Sequence, residues 1–305
     1  MLMATAELRI GTSGWNYPAG RGTWNGIFYP PSRGRAKGFD ELSFYAEHFN
    51  TVEVNSTFYG QPRADVTRKW AERTPAGFDF SVKLYRKFTH PKTVEHEPAN
   101  QFDLADFKRG IDPLASSGKL GALLAQFPPS FKSDAASLDY LQWLLHEFAG
   151  YGVAVELRHS SWSDKLGDTL SLLNTYGAAL VQIDEPKFKL SIAQNQLPNV
   201  EGVYYMRLHG RNAAQWWQHD KAEDRYNYLY SAVEVNEFVE TIDAAREIVK
   251  KAYLYANNHF SAKSVANAAM IKKQLGEPVA GEYSEEFLSR YPELSGVAKP
   301  VLKLI

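Results

Sequence analysis

The 305-residue chain contains no cysteine, and this absence excludes several classes of chemistry at once. Disulfide bonds, thiolate metal sites, iron–sulfur clusters and a cysteine nucleophile all require a thiol. The chain also has little net charge, because 34 Lys and Arg residues balance 35 Asp and Glu residues to give −1. A basic surface over the whole molecule is therefore excluded, whereas a local basic cleft remains compatible with the composition.

Long apolar runs are missing as well. No stretch of about 18 uncharged apolar residues occurs, so we expect neither a membrane span nor a membrane partner. The first residues, MLMATAELRIG, have no basic region and no long apolar run, so no secretory signal is expected. With 44% hydrophobic and 23% charged residues, the composition is typical of a folded chain. We therefore expect a cytoplasmic protein.

What the sequence does contain is a series of short runs rich in Val, Ile, Leu, Tyr and Phe. These runs predict eight strands, Leu8–Ser13, Thr51–Thr57, Phe78–Tyr85, Leu120–Phe127, Val153–His159, Ala179–Asp184, Val203–His209 and Ala252–His259. Helices are predicted between them at Ala64–Arg73, Phe102–Ser116, Leu138–Phe148, Trp162–Tyr176, Val233–Val249 and Ala262–Leu275. Alternation of this kind indicates a parallel sheet covered by helices.

The number of strands favours a closed (β/α)8 TIM-type barrel, an α/β fold that typically takes ~250 residues. An open doubly wound sheet is the alternative, and it is disfavoured because GTSGW, rather than GxGxxG, follows the first strand. We expect a single domain over 1–305, with a barrel core at about 8–275 and a C-terminal extension at 276–305. Three long loops follow strands and should lie on the carboxyl-end face, namely 14–38, 185–202 and 210–226 with its Trp216–Trp217 pair.

Several phrases carry a resemblance to a known family. GTSGWNY, VEVNSTFY, FSVKLYRKFTH, VELRHSSW, YMRLHGRN and LYANNHFSAKSVANA together resemble the bacterial and archaeal YecE-like family, catalogued as domain of unknown function number 72. The resemblance extends from about Leu8 to Leu275. It implies an eight-stranded barrel, in agreement with the strand count, and it implies no established reaction.

Polar side chains recur on the strand face that should point into the barrel. Strand residues alternate between two faces, and the apolar set on each strand suits the helix layer. The inward set then includes Glu53, Lys83, Glu156, Arg207 and His209. The eighth strand places Tyr253, Tyr255 and Asn257 on one face without indicating its direction. Parallel barrel strands are usually apolar on both faces, so these charges must be paired, hydrated or bound to a ligand.

We expect the polar positions to form a pocket where the long loops converge. The candidate catalytic residues are Glu53, Glu156, His209 and Asp184. The candidate substrate-binding residues are Trp15, Asn55, Tyr59, Lys83, Gln126, Arg158, Arg207, Arg211 and Asn257. Two carboxylates in different environments can divide the roles of acid and base, and arginine forks match phosphate or carboxylate groups. A closed salt-bridge network that needs no ligand would carry the same residues.

Metal and cofactor chemistry is less favoured. Glu53, Glu156, Asp184 and His209 offer oxygen and nitrogen ligands for a divalent ion, but the interleaved cations would repel it. No cofactor is predicted. Lys83 suits a Schiff base if it is desolvated, although its acidic neighbours favour a charged, positional role. No GxSxG turn surrounds the serines of the predicted strands, so a serine hydrolase is not expected.

The sequence thus predicts acid–base chemistry on a polar, anionic ligand that is phosphorylated or sugar-like, and hydrolase, isomerase and lyase reactions all stay open. The alternative is a non-catalytic protein that binds nucleic acid or a nucleotide through basic loops and exposed aromatic rings. A ligand-free scaffold for a protein partner is a third possibility. Nothing in the sequence indicates the oligomeric state.

Overall fold

A computed structural model describes residues 6–33, 35–90, 99–194, 197–216 and 220–301 of the chain. Trp217, one half of the tryptophan pair in the third long loop, lies outside the described residues. Within the described ranges, no helix is both long enough and apolar enough to cross a membrane.

Nine parallel strands form one sheet in the spatial order β6-β5-β4-β3-β2-β1-β9-β8-β7. Their bounds are β1 (Glu7–Ser13), β2 (Thr51–Val54), β3 (Asp79–Lys83), β4 (Leu120–Gln126), β5 (Val153–Glu156), β6 (Ala179–Leu180), β7 (Gln182–Asp184), β8 (Val203–Leu208) and β9 (Lys251–Ala256). The short strands β6 and β7 are consecutive in the chain and are separated only at Val181. Because β6 pairs with β5 and β7 pairs with β8, the sheet returns to itself at this position. The expected eight-stranded barrel is confirmed, with its sixth strand in two halves.

The helices cover this nearly closed barrel. Their bounds are α1 (Glu41–His48), α2 (Ser56–Tyr59), α3 (Ala64–Glu72), α4 (Arg86–Thr89), α5 (Gln101–Ser116), α6 (Ala135–Glu147), α7 (Ser161–Asp164), α8 (Leu166–Thr175), α9 (Ala232–Ala245), α10 (Lys263–Gln274) and α11 (Glu285–Arg290). Asn100 with Asp103 and Ser231 with Glu234 form capping boxes that satisfy the first backbone N–H groups of α5 and α9. The six predicted helical segments are present, although the segment at Trp162–Tyr176 forms two helices, α7 and α8.

Short elements complete the chain. Four 3₁₀ turns lie at Ala213–Gln215, Ala222–Tyr226, Phe260–Ala262 and Pro292–Leu294, and β10 (Glu282–Tyr283) pairs with β11 (Lys299–Pro300). The rings of Tyr283 and Phe287 lie 6.2 and 6.0 Å from that of Phe28 in the loop after β1. His48 at the end of α1 contacts the carbonyl oxygen of Glu282 at 3.0 Å. The residues after α10 therefore pack against the β1–α1 region of the barrel.

Tyrosine side chains fill the barrel at mid-height. The Tyr255 hydroxyl contacts Ser81 Oγ at 2.8 Å and Thr51 Oγ1 at 2.6 Å, and the rings of Tyr205 and Tyr255 are 5.2 Å apart. Strands β9 and β3 are not neighbours in the sheet, so the contact between Tyr255 and Ser81 crosses the interior. This arrangement settles the direction of the eighth predicted strand, whose set of Tyr253, Tyr255 and Asn257 points inward.

Candidate active site

A cavity of about 870 Å³ opens at the carboxyl ends of the strands. Nine of the thirteen candidate catalytic and substrate-binding residues line it, namely Trp15, Asn55, Tyr59, Lys83, Gln126, Arg158, Arg207, His209 and Asn257. They lie at the carboxyl ends of seven strands, β1 to β5, β8 and β9, or in the segments just after them, which is where barrel enzymes place their active sites. Four nominated residues do not line the cavity: Glu53, Glu156, Asp184 and Arg211.

The floor of the cavity is organised by Arg207 on β8. Its Nε and Nη2 donate to the two carboxylate oxygens of Glu53 at 2.8 and 2.7 Å, and its Nη1 donates to Glu156 at 2.5 Å. Glu53 also accepts hydrogen bonds from the Ser13 hydroxyl at 2.8 Å and the Tyr205 hydroxyl at 2.7 Å. Both carboxylate oxygens of Glu53 are thus occupied by donors from the barrel itself.

A second arginine continues this network toward the mouth of the cavity. Arg158 Nε and Nη2 donate to Glu156 Oε1 at 2.7 and 2.6 Å, and Arg158 Nη1 lies 3.1 Å from Glu185 Oε2. The Arg158 side chain is 14% exposed, whereas the carboxylate of Glu156 is fully buried. The guanidinium groups therefore lie between the carboxylates and the open cavity.

The pKa values of the three glutamates in this network are set by burial and by the neighbouring arginines. Burial alone would raise the pKa of Glu53, but Arg207 holds it below its usual value. Burial opposes ionisation of Glu156 in the same way, and Arg158 with Arg207 lowers its pKa well below the usual value. Burial raises the pKa of Glu185 despite its contact with Arg158. Glu53 and Glu156 are consequently carboxylates at neutral pH.

The prediction that Glu53 and Glu156 act directly on a ligand does not agree with this placement. Neither carboxylate has any exposed surface, and both are engaged by arginine. An ionised carboxylate that already accepts charged hydrogen bonds is a poor base, and it has no proton to donate as an acid. In this structure the two glutamates fix the orientation of Arg207 and Arg158.

Lys83, the last residue of β3, is the lysine in the cavity. Its Nζ donates to the Gln126 side-chain oxygen at 2.6 Å and lies 4.1 Å from the centre of the Phe58 ring. Within the part of the chain that the structure describes, no carboxylate is in ion-pair contact with Nζ, because the neighbouring acids bind the arginines instead. Burial, reinforced by Arg207, lowers the pKa of Lys83 to about 7. A larger share of this amine is therefore neutral at pH 7 than of an ordinary lysine.

His209 follows β8 and contacts the same network. Its Nε2 lies 3.4 Å from Arg207 Nη1 and from Arg158 Nη2, and its Nδ1 lies 2.9 Å from the Asn257 side-chain amide. Burial, together with Arg207, lowers the pKa of His209 to about 4. The imidazole is therefore neutral at pH 7, with one ring nitrogen that carries a proton and one that can accept a hydrogen bond.

Aromatic rings form the wall above the floor. Gly14 has φ +86°, a left-handed conformation that favours glycine, and it turns the chain after β1 so that Trp15 and Tyr17 reach the cavity. The Tyr17 ring stacks on His259 with 4.5 Å between ring centres. Trp15 meets Trp70 of α3 edge to face at 5.5 Å. This wall provides flat surfaces on which a ring-bearing ligand can stack.

Asp184 and Arg211 were expected to line the pocket, and the structure places both outside it. Arg211 Nε and Nη2 donate to Asp184 at 3.0–3.1 Å, and Arg211 also reaches Glu234 and Glu237 at 3.4 and 2.9 Å. The Tyr230 hydroxyl donates to Asp184 at 2.7 Å. Because Arg211 binds Asp184 and also two carboxylates of α9, the Arg211–Asp184 pair connects the ends of β7 and β8 to that helix and does not line the cavity.

Sequence reasoning also missed several residues around the cavity. Glu185 contacts Arg158, but the sequence analysis had selected its neighbour Asp184 instead. Phe58 was placed beyond a strand that in fact ends at Val54, and Trp70 fell within a predicted helix. His259 lay in the NNH phrase at the end of β9, where the concentration of polar residues was the available signal.

The metal alternative receives no geometric support. Among the described residues, no three His, Asp or Glu side chains converge in a way that could hold a metal ion. The four candidate ligands are divided between two networks, because Asp184 pairs with Arg211 while Glu53 and Glu156 bind Arg207. Cationic donors already occupy the oxygens that a metal would need.

Comparison with known proteins identifies similar chains. The model of a family described as "Protein of unknown function DUF72" matches residues 9–289. The protein YunF of Bacillus subtilis is 30% identical over 287 residues, which cover 90% of this chain and 95% of YunF. YecE of Escherichia coli is 34% identical over 142 residues, which cover 45% of this chain and 48% of YecE.

Solved structures give the same result for the fold. A crystal structure of a DUF72 family protein from Thermotoga maritima superimposes with a TM-score of 0.76 at 32% identity, covering 89% of this chain and 100% of the other. A DUF72 family protein from Enterococcus faecalis gives a TM-score of 0.76 at 25% identity, covering 88% of this chain and 95% of the other. Both comparisons agree with the single-chain barrel described above.

Proposed function

This chain belongs to the DUF72 family, whose description names no reaction, and from its cavity we propose an enzyme that uses acid–base chemistry on a small anionic ligand. The observation that supports this proposal best is the order of charges at the floor. The carboxylates of Glu53 and Glu156 are buried behind Arg207 and Arg158, so that a ligand entering the cavity meets cations first.

Arg207 and Arg158 are held in fixed orientations before any anion binds. Their guanidinium planes are held by the carboxylates behind them, so little conformational entropy is lost when they bind a ligand. Phosphate and carboxylate groups accept paired hydrogen bonds from such planes. Asn55 adds a polar group, since its side-chain oxygen is buried and has no hydrogen-bond partner among the described residues. A donor on the ligand would satisfy that oxygen.

Lys83 is the group best suited to move protons. A catalytic acid or base works best when its pKa lies near the operating pH, and the pKa of Lys83 is lowered to about 7. The imidazoles of His209 and His90 have pKa values of about 4, because burial disfavours their charged forms. At neutral pH they are bases too weak to hold a proton, so we assign proton transfer to Lys83 and hydrogen bonding to His209.

Thermal unfolding in the presence of probe anions tests the anion site. Pyrophosphate is expected to raise Tm, since a ligand at about 100 times its Kd stabilises the fold by about 2.7 kcal/mol. The increase should disappear in Arg158→Gln and persist in Arg211→Gln, a matched arginine outside the cavity. No increase with pyrophosphate, or equal increases in both variants, would remove the proposal.

A nucleotide or nucleic acid is the second candidate, and the observation that favours it is the aromatic rim. The Tyr59 side chain is 73% exposed at the cavity, where it can stack on a base. Against it, three basic residues after the first and third strands are already paired: Arg21 with Asp224, Arg35 with Glu41 and Lys87 with Asp103. Affinity for single-stranded DNA that falls steeply with salt concentration would favour this candidate.

A further inference from the structure

We propose that Lys83 forms a protonated imine with the carbonyl carbon of an anionic aldehyde or ketone. The inference rests on the proposed function, because the ligand's negative group must be held by Arg158 and Arg207 while its carbonyl meets the amine. It deepens that function by naming the substrate class: small carbonyl compounds that carry a carboxylate or phosphate group.

The placement of the amine is the first argument. Lys83 ends β3 and points into the barrel, where its side chain is buried among Phe58 and Gln126. The Thr57 hydroxyl donates to the Lys83 carbonyl oxygen at 2.6 Å and holds the end of the strand against α2. An apolar ring on one side and an uncharged amide on the other leave the nitrogen without a carboxylate partner that would keep it protonated.

Four other lysines are arranged differently. Lys119 donates to two backbone carbonyls at 2.6 Å, and Lys251 contacts Asp79 at 2.9 Å. Lys187 and Lys272 also donate to backbone carbonyls, at 3.4 and 3.2 Å. Each of these four amines is held by a backbone carbonyl or a carboxylate, whereas Lys83 donates to the side-chain amide of Gln126. Lys83 is the only lysine among the described residues that line the cavity.

The charge around Lys83 is the second argument. The charged and titratable groups that face it are Arg207 on β8, Arg158 after β5, Glu156 on β5, Glu53 on β2 and His90 after α4. Burial and the arginines lower the pKa of the amine, and the two glutamates partly oppose them. At pH 7.5 an amine with a pKa of about 7 is about three-quarters neutral, against about 0.1% for an ordinary lysine.

The reaction balances without any other reagent. The neutral Lys83 nitrogen attacks the carbonyl carbon, a C–N bond forms, and the carbonyl electron pair moves to oxygen. That oxygen takes one proton from the attacking nitrogen and one from solvent, and it leaves as water when the C=N bond forms. The product is a protonated imine. The nearby carboxylates of Glu156 and Glu53 offset part of the cost that burial and the arginines place on its positive charge.

Reductive trapping with an anionic aldehyde tests the proposal. The full chain is incubated with pyridoxal 5′-phosphate, used here only as a reagent, reduced with sodium borohydride and mapped by peptide mass spectrometry. We expect one adduct per chain on Lys83, with half-maximal labelling rate near pH 7 and at least tenfold preference over pyridoxal, which lacks the phosphate. Lys83→Met and Lys83→Arg should lose this adduct, whereas Lys187→Met should retain it.

The outcomes separate this inference from the proposed function. If pyrophosphate raises Tm but the label spreads over surface lysines without preference for Lys83, the imine proposal is wrong and the anion site stands. If Lys83 reacts equally with pyridoxal and with pyridoxal 5′-phosphate, the ligand is not selected by its charge and the proposal is overturned. Circular dichroism and Tm of both Lys83 variants show whether they remain folded.

Discussion

The two ends of the barrel interior both contain a cluster of acidic and basic side chains, but only the cluster at the carboxyl end has cations that line a cavity. At the amino end, Asp79 accepts from Arg9 at 3.0 Å and from Lys251 at 2.9 Å, and Glu7 pairs with both cations. The Tyr253 hydroxyl donates to Asp79 at 2.9 Å and closes this amino-end cluster. The cluster has two acids and two bases, and none of them lines the cavity. It is a closed salt-bridge network that needs no ligand.

The carboxyl-end cluster consists of Glu53, Glu156, Arg158, Arg207 and Glu185. None of its three acids lines the cavity, whereas both of its arginines do, and the acids outnumber the bases by one. The barrel's tyrosines separate the two clusters, with the Tyr205 hydroxyl bonded to Glu53 and the Tyr253 hydroxyl to Asp79. The two clusters therefore contain the same kinds of residue and differ in whether their cations line the cavity.

The largest difference between the clusters should appear when a cation is removed from the carboxyl end. Arg207→Met leaves two buried carboxylates without their shared partner, and we expect a loss of about 3–5 kcal/mol in the free energy of unfolding. Asp79→Asn should cost about 1–2 kcal/mol, because Arg9 and Lys251 remain partly hydrated. Urea denaturation measures both values. Equal losses would show that the ends do not differ as described.

A smaller difference concerns the pH dependence of stability. The pKa of Lys83 is about 7 in the folded chain and about 10.4 when unfolded, so between these values the unfolded chain binds more protons. The free energy of unfolding should therefore rise with pH across this window, by about 2–4 kcal/mol from this residue. Lys83→Met should flatten the rise. Urea denaturation from pH 7 to 10 provides the test, and parallel curves for wild type and Lys83→Met would contradict it.

The smallest predicted effect lies on the acidic side. The folded pKa of His209 is about 4 against about 6.5 when unfolded, so protonation of the unfolded chain lowers stability as pH falls through this range. His209→Asn removes the titration and should reduce the loss between pH 6.5 and 4 by about 1–3 kcal/mol. Thermal unfolding at several pH values measures it. An unchanged slope in the variant would mean that His209 does not contribute to the acid sensitivity.

Much of the barrel was predictable because side-chain alternation is local. Alternation placed Glu53, Glu156, Arg207 and His209 on the faces of their strands that point into the barrel, and their contacts in the structure agree with that assignment. The pairing of Arg207 with both glutamates was not predictable, since it joins β8 to β2 and β5 across the interior. Strand order within a closed sheet sets those distances, and a single sequence does not contain them.

The errors occurred where strands end. Alternation was extended to Asp184, but its side chain is drawn toward Arg211 and Tyr230, so Glu185 reaches Arg158 instead. The second strand was continued to Thr57, whereas the chain turns into α2 after Val54 and brings Phe58 over Lys83. At such positions, tertiary contacts override the local pattern. The helix α1 was also missed, since its short amphipathic segment followed a long irregular loop.

Titration of the Lys83 amine by NMR, in protein carrying ¹³C-labelled lysine and assigned with Lys83→Arg, tests the central claim most directly. Our account predicts a pKa near 7 in the free protein and an increase when pyrophosphate occupies the neighbouring arginines. An amine that titrates near 10.4 and does not respond to pyrophosphate would contradict it.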